Sequence, residues 1–350
     1  MSRPVTIGLV GTGDVGQTHA QACADSAEVQ LAIAAGRDRS RADELAQRFG
    51  ARLFDSYEAM LADREIAAVD LCIPNHLHAD YTVRAARAGK HVLCEKPMAL
   101  SLCEADAMIR ACEKAGVALM IAHPLRFWPE YEKARELILG GALGRPQSVS
   151  ARRLTPLLLA VRGAGDWRHN AEQSGGAVVD LQIHDIDYFV WLFGAPELVY
   201  AQGVRSEDGA WSHVMTTLTY ADGTIASAEA SMMLKGNPVV MDLRVIGTEA
   251  SLEYQYVVEE VPMHNIHGGA GVRHSAPCLT LYRWGQKPQV ISRQEGDPIR
   301  VMFQEEIAYF ARCVAENVPP ERVPVSHSRE ALRICLAAAD SCEKGQPVRL

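Results

Sequence analysis

The chain has no surplus of positive charge: 43 Asp and Glu outnumber 35 Lys and Arg, leaving a formal net charge of −8. Binding nucleic-acid phosphates needs a basic face, so that class of partner is not expected. Also missing is any apolar run near the ~20 residues that cross a bilayer, so no membrane partner is expected. The nine cysteines are an odd number without a CxxC pair, which reads as reduced thiols in a cytoplasmic protein. Met1-Ser2-Arg3-Pro4 runs straight into the first strand-like stretch, leaving no signal peptide to expect. Repeats and low-complexity segments are absent too. The 350 residues, 48% apolar and 22% charged, suit a soluble protein with two domains and two sizeable cores.

The first third alternates strand and helix patterns. Val5 to Val10 is a near-continuous apolar run, as expected of a strand covered on both faces. Val29 to Ala35, Val69 to Ile73, His91 to Cys94 and Val117 to Ile121 read the same way. Between them, Arg41 to Phe49, Tyr81 to Ala88 and Ser101 to Ala115 show helical spacing, each followed by a glycine stop. Repeated β-α-β predicts a doubly wound parallel sheet over residues 1–123. Residues 124–350 read as an α+β domain with a largely antiparallel sheet. It has helices over Tyr131 to Leu139 and Ala177 to Phe193, five strand-like stretches from Leu198 to Val257, and terminal helices over Met302 to Glu316 and Ser328 to Lys344. Asp222-Gly223 between apolar alternations signals a hairpin.

Gly11-Thr12-Gly13-Asp14-Val15-Gly16 follows a strand and opens a helix, the setting that makes GxGxxG informative. Gly11 permits the tight turn, Gly13 the approach of a pyrophosphate, and Gly16 close helix packing. The phosphates are then expected at the helix N-terminus. At the end of the second strand, the acidic residue typical of NAD binders falls at Gly36, with Arg37 behind it. Arginine suits a 2′-phosphate, so NADP is favoured over NAD. A solvated turn is the competing reading of these arginines, and Asp38 leaves contact with a ribose open. Pro74, Asn75 and His78 close another strand and are candidate nicotinamide-side contacts, His78 equally as the first turn of an exposed helix.

Cys94-Glu95-Lys96-Pro97 closes a buried strand in the sheet. Ligands of such sheets sit outside the carboxyl ends of the strands, so Lys96 is placed to polarise a substrate oxygen beside a nicotinamide, and Glu95 is counted with the cofactor contacts. Further on, Asp180 and His184 are four apart on an expected helix that starts at Gly175-Gly176. That spacing puts them on one face, where a carboxylate can orient a histidine base.

Together, Gly11-x-Gly13-x-x-Gly16, Glu95-Lys96-Pro97, His123-Pro124-Leu125-Arg126-Phe127-Trp128-Pro129 and Gly175-Gly176-x-x-x-Asp180-x-x-x-His184-Asp185-x-Asp187 resemble the glucose–fructose oxidoreductase/inositol dehydrogenase/rhizopine-catabolism (Gfo/Idh/MocA) family over nearly the whole chain. The resemblance implies an N-terminal Rossmann domain, a C-terminal domain with an open sheet, and a homodimer or homotetramer built on that sheet. It also implies that Lys96, Asp180 and His184 match the family's catalytic lysine, aspartate and histidine, with a cis Lys96–Pro97 bond.

The function expected is hydride transfer between NAD(P) and a secondary alcohol of a sugar, sugar derivative or inositol. Arg126, Trp167 and Arg168 join Lys96, Asp180 and His184 as substrate contacts, since aromatic faces suit the C–H surface of a sugar ring and arginines its hydroxyls. A redox-neutral NAD-dependent glycosidase of the same family and a non-catalytic cofactor sensor are the alternatives. His264-x-x-His267 lacks a third ligand, so no metal is expected.

Overall fold

In the first third of the chain the apolar runs become buried parallel strands, and the stretches at helical spacing become the helices between them. The computed structural model describes residues 4–156, 167–207, 209–235, 239–260, 273–274, 278–293 and 297–350. Strands β1 (Val5–Val10), β2 (Val29–Ala34), β3 (Arg52–Phe54), β4 (Ala68–Leu71), β5 (His91–Glu95) and β6 (Leu119–Ala122) form one sheet in the order β3-β2-β1-β4-β5-β6. Every pairing in it is parallel. Helices α1 (Asp14–Asp25), α2 (Arg39–Phe49), α3 (Tyr57–Ala62), α4 (His78–Arg87) and α5 (Leu102–Ala115) connect the strands. Their limits follow local chemistry. Asp38, Ser56 and Ser101 accept first-turn N–H bonds, and Gly50 and Gly116 end their helices in the left-handed region. β1 and β4, in the middle, are almost wholly buried.

Beyond β6 come α6 (Pro129–Leu139), β7 (Pro146–Leu154), the short α7 (Ala171–Ser174), a π-helical turn over Ala177–Leu181 and α8 (Ile183–Phe193). Strands β8 (Leu198–Arg205), β9 (Trp211–Thr219), β10 (Ile225–Ser231), β11 (Val239–Gly247), β12 (Ala250–Glu260), β13 (Arg273–His274), β14 (Cys278–Arg283) and β15 (Gln289–Arg293) follow. Helices α9 (Pro298–Glu316) and α10 (Val325–Lys344) and strand β16 (Val348–Arg349) complete the chain. The second sheet runs β15-β14-β12-β11-β7-β10-β9-β8-β16, with β13 on β12. Its pairings are antiparallel except β7 with β10. Along β9 the even positions, Ser212 to Leu218, are buried while Met215 and Thr217 are exposed, the alternation of a sheet covered on one face. The Asp222-Gly223 turn joins β9 to β10, with Gly223 at φ 85° and its N–H donated to the Tyr220 carbonyl.

Two compact units emerge. One comprises residues 1–127 and 299–329, the other 128–298 and 330–350. The second unit's core includes Trp128, whose indole N–H donates to the Tyr254 hydroxyl at 2.9 Å and whose ring meets Tyr131, Tyr254 and Tyr256 edge-on. His264 and His267 lie outside the described residues.

Candidate active site

In the first unit, three strand ends carry the candidate residues: the glycine turn after β1, Pro74-Asn75 after β4, and Glu95-Lys96-Pro97 at β5. β4 lies between β1 and β5, so these are neighbours along one sheet edge. Gly11 has φ +104°, and a Cβ there would sit 2.1 Å from the Cys72 carbonyl oxygen. A Cβ on Gly16 would sit 2.0 Å from the Gly11 carbonyl oxygen. Both glycines are therefore demanded by backbone packing. At Gly13 a Cβ would meet nothing within 4 Å. Gly13 caps α1 and makes no side-chain cap bond, which leaves first-turn N–H groups for an anion. The donor set fits a dinucleotide pyrophosphate.

At the end of β2, Gly36 and Arg37 are exposed, and nothing lies within 4 Å of a Cβ built on Gly36. Asp38, open to a ribose on sequence alone, accepts the Arg41 N–H at 3.1 Å as the cap of α2 and pairs with the Arg41 guanidinium.

Glu95 is buried at the end of β5. Its Oε1 lies 3.2 Å from His19 Nε2, and its Oε2 accepts the Lys96 N–H at 3.0 Å. His19 Nδ1 lies 2.8 Å from Asp70 Oδ2. Burial alone would lower the His19 pKa, but the charge of Asp70 and its hydrogen bond raise it well above 6.5. Burial alone would raise that of Glu95, and His19, followed by Lys96, lowers it. Sequence reading gave His19 and Asp70 no role. The usable signals were a histidine on the Ala20–Cys23 face of α1 and an acid inside the apolar run Val69-Asp70-Leu71.

His78 is fully buried, so the exposed-turn reading does not hold. Its Nδ1 lies 2.7 Å from the Pro97 carbonyl oxygen and its Nε2 2.9 Å from that of Ile73. Lys96 is half-buried and its bond to Pro97 is cis. Asn75 is buried and opens a short 3₁₀ turn. Arg126 is fully buried as well. It donates to the Arg322 carbonyl at 2.9 Å, and its other terminal nitrogen lies 3.3 Å from His327 Nδ1.

Asp180, His184, Trp167 and Arg168 belong to the second unit. The expected continuous helix is instead a π turn joined to α8, with the Gln182 N–H donated to the Ala177 carbonyl five residues back. Asp180 lies in the π turn and His184 in the first turn of α8. The cause is local. Gly175 and Gly176 have φ +78° and +67°, and a Cβ on Gly176 would sit 2.8 Å from the Trp211 carbonyl oxygen. π turns of this kind recur at functional sites. Gln182 fixes the junction to the sheet by donating to the Ala228 carbonyl and accepting from the Thr216 hydroxyl. Asp185 is locked to Arg153 by two hydrogen bonds. Asp180 is buried and His184 half-buried. Trp167 and Arg168 form a half-exposed pair, the guanidinium 4.5 Å from the indole centroid.

The profile of an oxidoreductase family with an NAD-binding Rossmann fold matches residues 5–123, and that of the Gfo/Idh/MocA C-terminal domain matches 131–253. A D-xylose 1-dehydrogenase (NADP(+)) of Haloferax volcanii is 32% identical, covering 98% of this chain and 99% of its own. A levoglucosan dehydrogenase of Pseudarthrobacter phenanthrenivorans is 31% identical over 72% and 74% of the two chains. Among solved structures, a levoglucosan dehydrogenase with NADH and levoglucosan superposes with a TM-score of 0.81 at 24% identity, covering 99% of both chains. An aldose–aldose oxidoreductase from Caulobacter crescentus gives 0.82 at 24% identity, covering 99% of this chain and 100% of its own. These last two show the fold. On the two family profiles and the full-length relative, the chain belongs to the Gfo/Idh/MocA family of oxidoreductases, with an NAD-binding Rossmann domain at its N-terminus.

Proposed function

We propose that this enzyme is an NAD(P)-dependent dehydrogenase that oxidises a secondary alcohol of a sugar or cyclitol to the ketone or lactone. The observation that carries this reading is the sheet edge on which Lys96 follows β5 while the open glycine turn follows β1. The full-length xylose dehydrogenase relative and the levoglucosan dehydrogenase support the substrate class.

A dinucleotide held at the Gly11–Gly16 turn would supply the hydride acceptor for the alcohol carbon. The chain's residues handle the rest of the balance. His184 takes the hydroxyl proton as the carbonyl forms. Lys96 donates a hydrogen bond to that oxygen and offsets the negative charge developing on it. Asp180 orients these groups and accepts from a neighbouring hydroxyl. Trp167 offers a ring face to the C–H surface of the sugar, with Arg168 at its hydroxyls. Arg126, buried under its own hydrogen bonds, holds the 3₁₀ turn at residues 124–127 and contacts no substrate.

NADP is the favoured cofactor, because Asp38 is engaged as a helix cap and Arg37 is exposed beside Gly36. A homo-oligomer built on the open sheet is favoured by exposed apolar side chains on six strands, Val204, Met215, Ile225, Ile246, Tyr282 and Val290. The test is a panel of aldoses, inositols and anhydrosugars with each oxidised cofactor, followed by nicotinamide absorbance. Reduction with one sugar class supports the reading. Cofactor binding without reduction by any polyol counts against it.

A further inference from the structure

The Lys96 N–H and the Pro97 carbonyl are each met by a side chain outside the proposed chemistry. On one side Glu95 Oε2 accepts the Lys96 N–H at 3.0 Å, while Glu95 Oε1 lies 3.2 Å from His19 Nε2. On the other, the Pro97 carbonyl faces His78 Nδ1 at 2.7 Å. His19 stands on α1, less than two turns from the glycine cradle, and its second nitrogen is tied to Asp70 on β4.

We propose that His19 and Glu95 are positioning residues for Lys96: they couple the phosphate-binding helix to the strand end that carries the lysine, and Glu95 contacts neither cofactor nor substrate. This rests on the reading of Lys96 given above. The same cluster offers His19, Asp70 and Cys72 ligand atoms within 4.8 Å of one another. Those atoms are spent on each other, Nδ1 at Asp70 Oδ2 and the Cys72 thiol donating to Asp70 Oδ1, so the cluster is a hydrogen-bonded relay and no cation site is proposed. The titratable groups around His19 are Asp70, Cys72, Glu95, Cys23 and Glu306, and the Phe303 ring lies 5.0 Å away. Glu306 is fully buried with neither carboxylate oxygen bonded, and burial, with Glu95 next, raises its pKa. His19 thus stands between the side chains of Asp70 and Glu95, one ring nitrogen facing each.

The experiment compares Glu95→Met with Glu95→Gln, reading kcat, sugar KM and the Kd of reduced cofactor by its fluorescence. Methionine keeps the length but offers no acceptor to the Lys96 N–H. Misplacing a reacting group by an ångström costs on the order of 100-fold, so Glu95→Met is expected to lose about that in kcat with cofactor Kd moved less than about 3-fold. Glutamine, which still accepts from Lys96, is expected to recover at least about 10-fold of that loss. If Glu95→Met fails to fold, Glu95→Asp keeps the charge one methylene short and is expected to lose about 10-fold in kcat at unchanged Kd. Full kcat in the folded variant, or a rise in cofactor Kd that tracks the lost kcat, overturns the proposal. Lys96→Ala, measured in parallel, separates the two claims. Should it lose turnover while Glu95→Met keeps it, only the positioning role falls; should it keep turnover, both fall.

Discussion

His78 Nδ1 lies 2.7 Å from the carbonyl oxygen of Pro97, and the other nitrogen of the same buried ring lies 2.9 Å from that of Ile73. One imidazole therefore ties the end of β4 to the turn after β5. Only the imidazolium could donate to both carbonyls, yet burial outweighs these bonds and lowers the pKa from 6.5. Replacing His78 by alanine strands a buried carbonyl, and a cost of about 1–3 kcal/mol is expected in urea denaturation at neutral pH. The sign of the pH effect follows from linkage. With the folded pKa depressed, the unfolded chain binds protons more readily, so the histidine's share is present above 6.5 and lost as pH falls through the folded value. The difference between wild type and His78→Ala should shrink on acidification. A difference constant across that range would contradict this.

Glu306 predicts the opposite slope. Its folded pKa is raised above the ordinary 4.5 by burial, so the native state binds the proton more tightly. Its share of stability is complete below 4.5 and declines as pH rises toward the folded value. Glu306→Gln removes that titration and should flatten the decline, read as thermal midpoints over a pH series. Replacing an unpartnered buried carboxyl is also expected to leave stability at neutral pH equal or higher.

Much of this was readable from the chain, and the losses have physical causes. The parallel sheet was legible because β1, β4, β5 and β6 are short apolar runs punctuated by glycine and proline. The Asp222-Gly223 hairpin was legible because that turn demands its residues. Strand β3, at three residues, is too short to show a period. The return of residues 299–329 to the first unit leaves no local mark, since the apolar stripe of α9 reads the same whatever it packs against. The π turn at Ala177–Leu181 was missed because Gly175-Gly176 announces a close approach but does not say to what. The Asp70–His19–Glu95 relay joins residues 51 and 76 positions apart along the chain, a tertiary fact that no window contains.

The cofactor preference should hinge on Arg37. A charge-assisted contact to a 2′-phosphate contributes roughly 1.5–3 kcal/mol, so Arg37→Ala is expected to weaken NADPH binding about 10- to 100-fold and leave NADH within about 2-fold. Equal losses for both cofactors would remove Arg37 from the 2′ site.

The open face of the second sheet should carry the subunit contact. Met215, on β9 of that sheet, is 58% exposed, flanked across strands by Gln202 and Glu229. Met215→Asp introduces a charge that an apolar interface would have to desolvate. A lower association state in sedimentation, with unchanged secondary structure, is the expected result. An unaltered oligomer, or a wild-type monomer, would place the contact elsewhere or deny it.

The most direct test of the account is Lys96→Ala, assayed with the best sugar from the panel. Reduced-cofactor fluorescence should report binding close to wild type, while turnover falls at least ~100-fold because the oxyanion loses its donor. Turnover near wild type with cofactor still bound would contradict the assignment of Lys96, and with it the chemistry proposed for this enzyme.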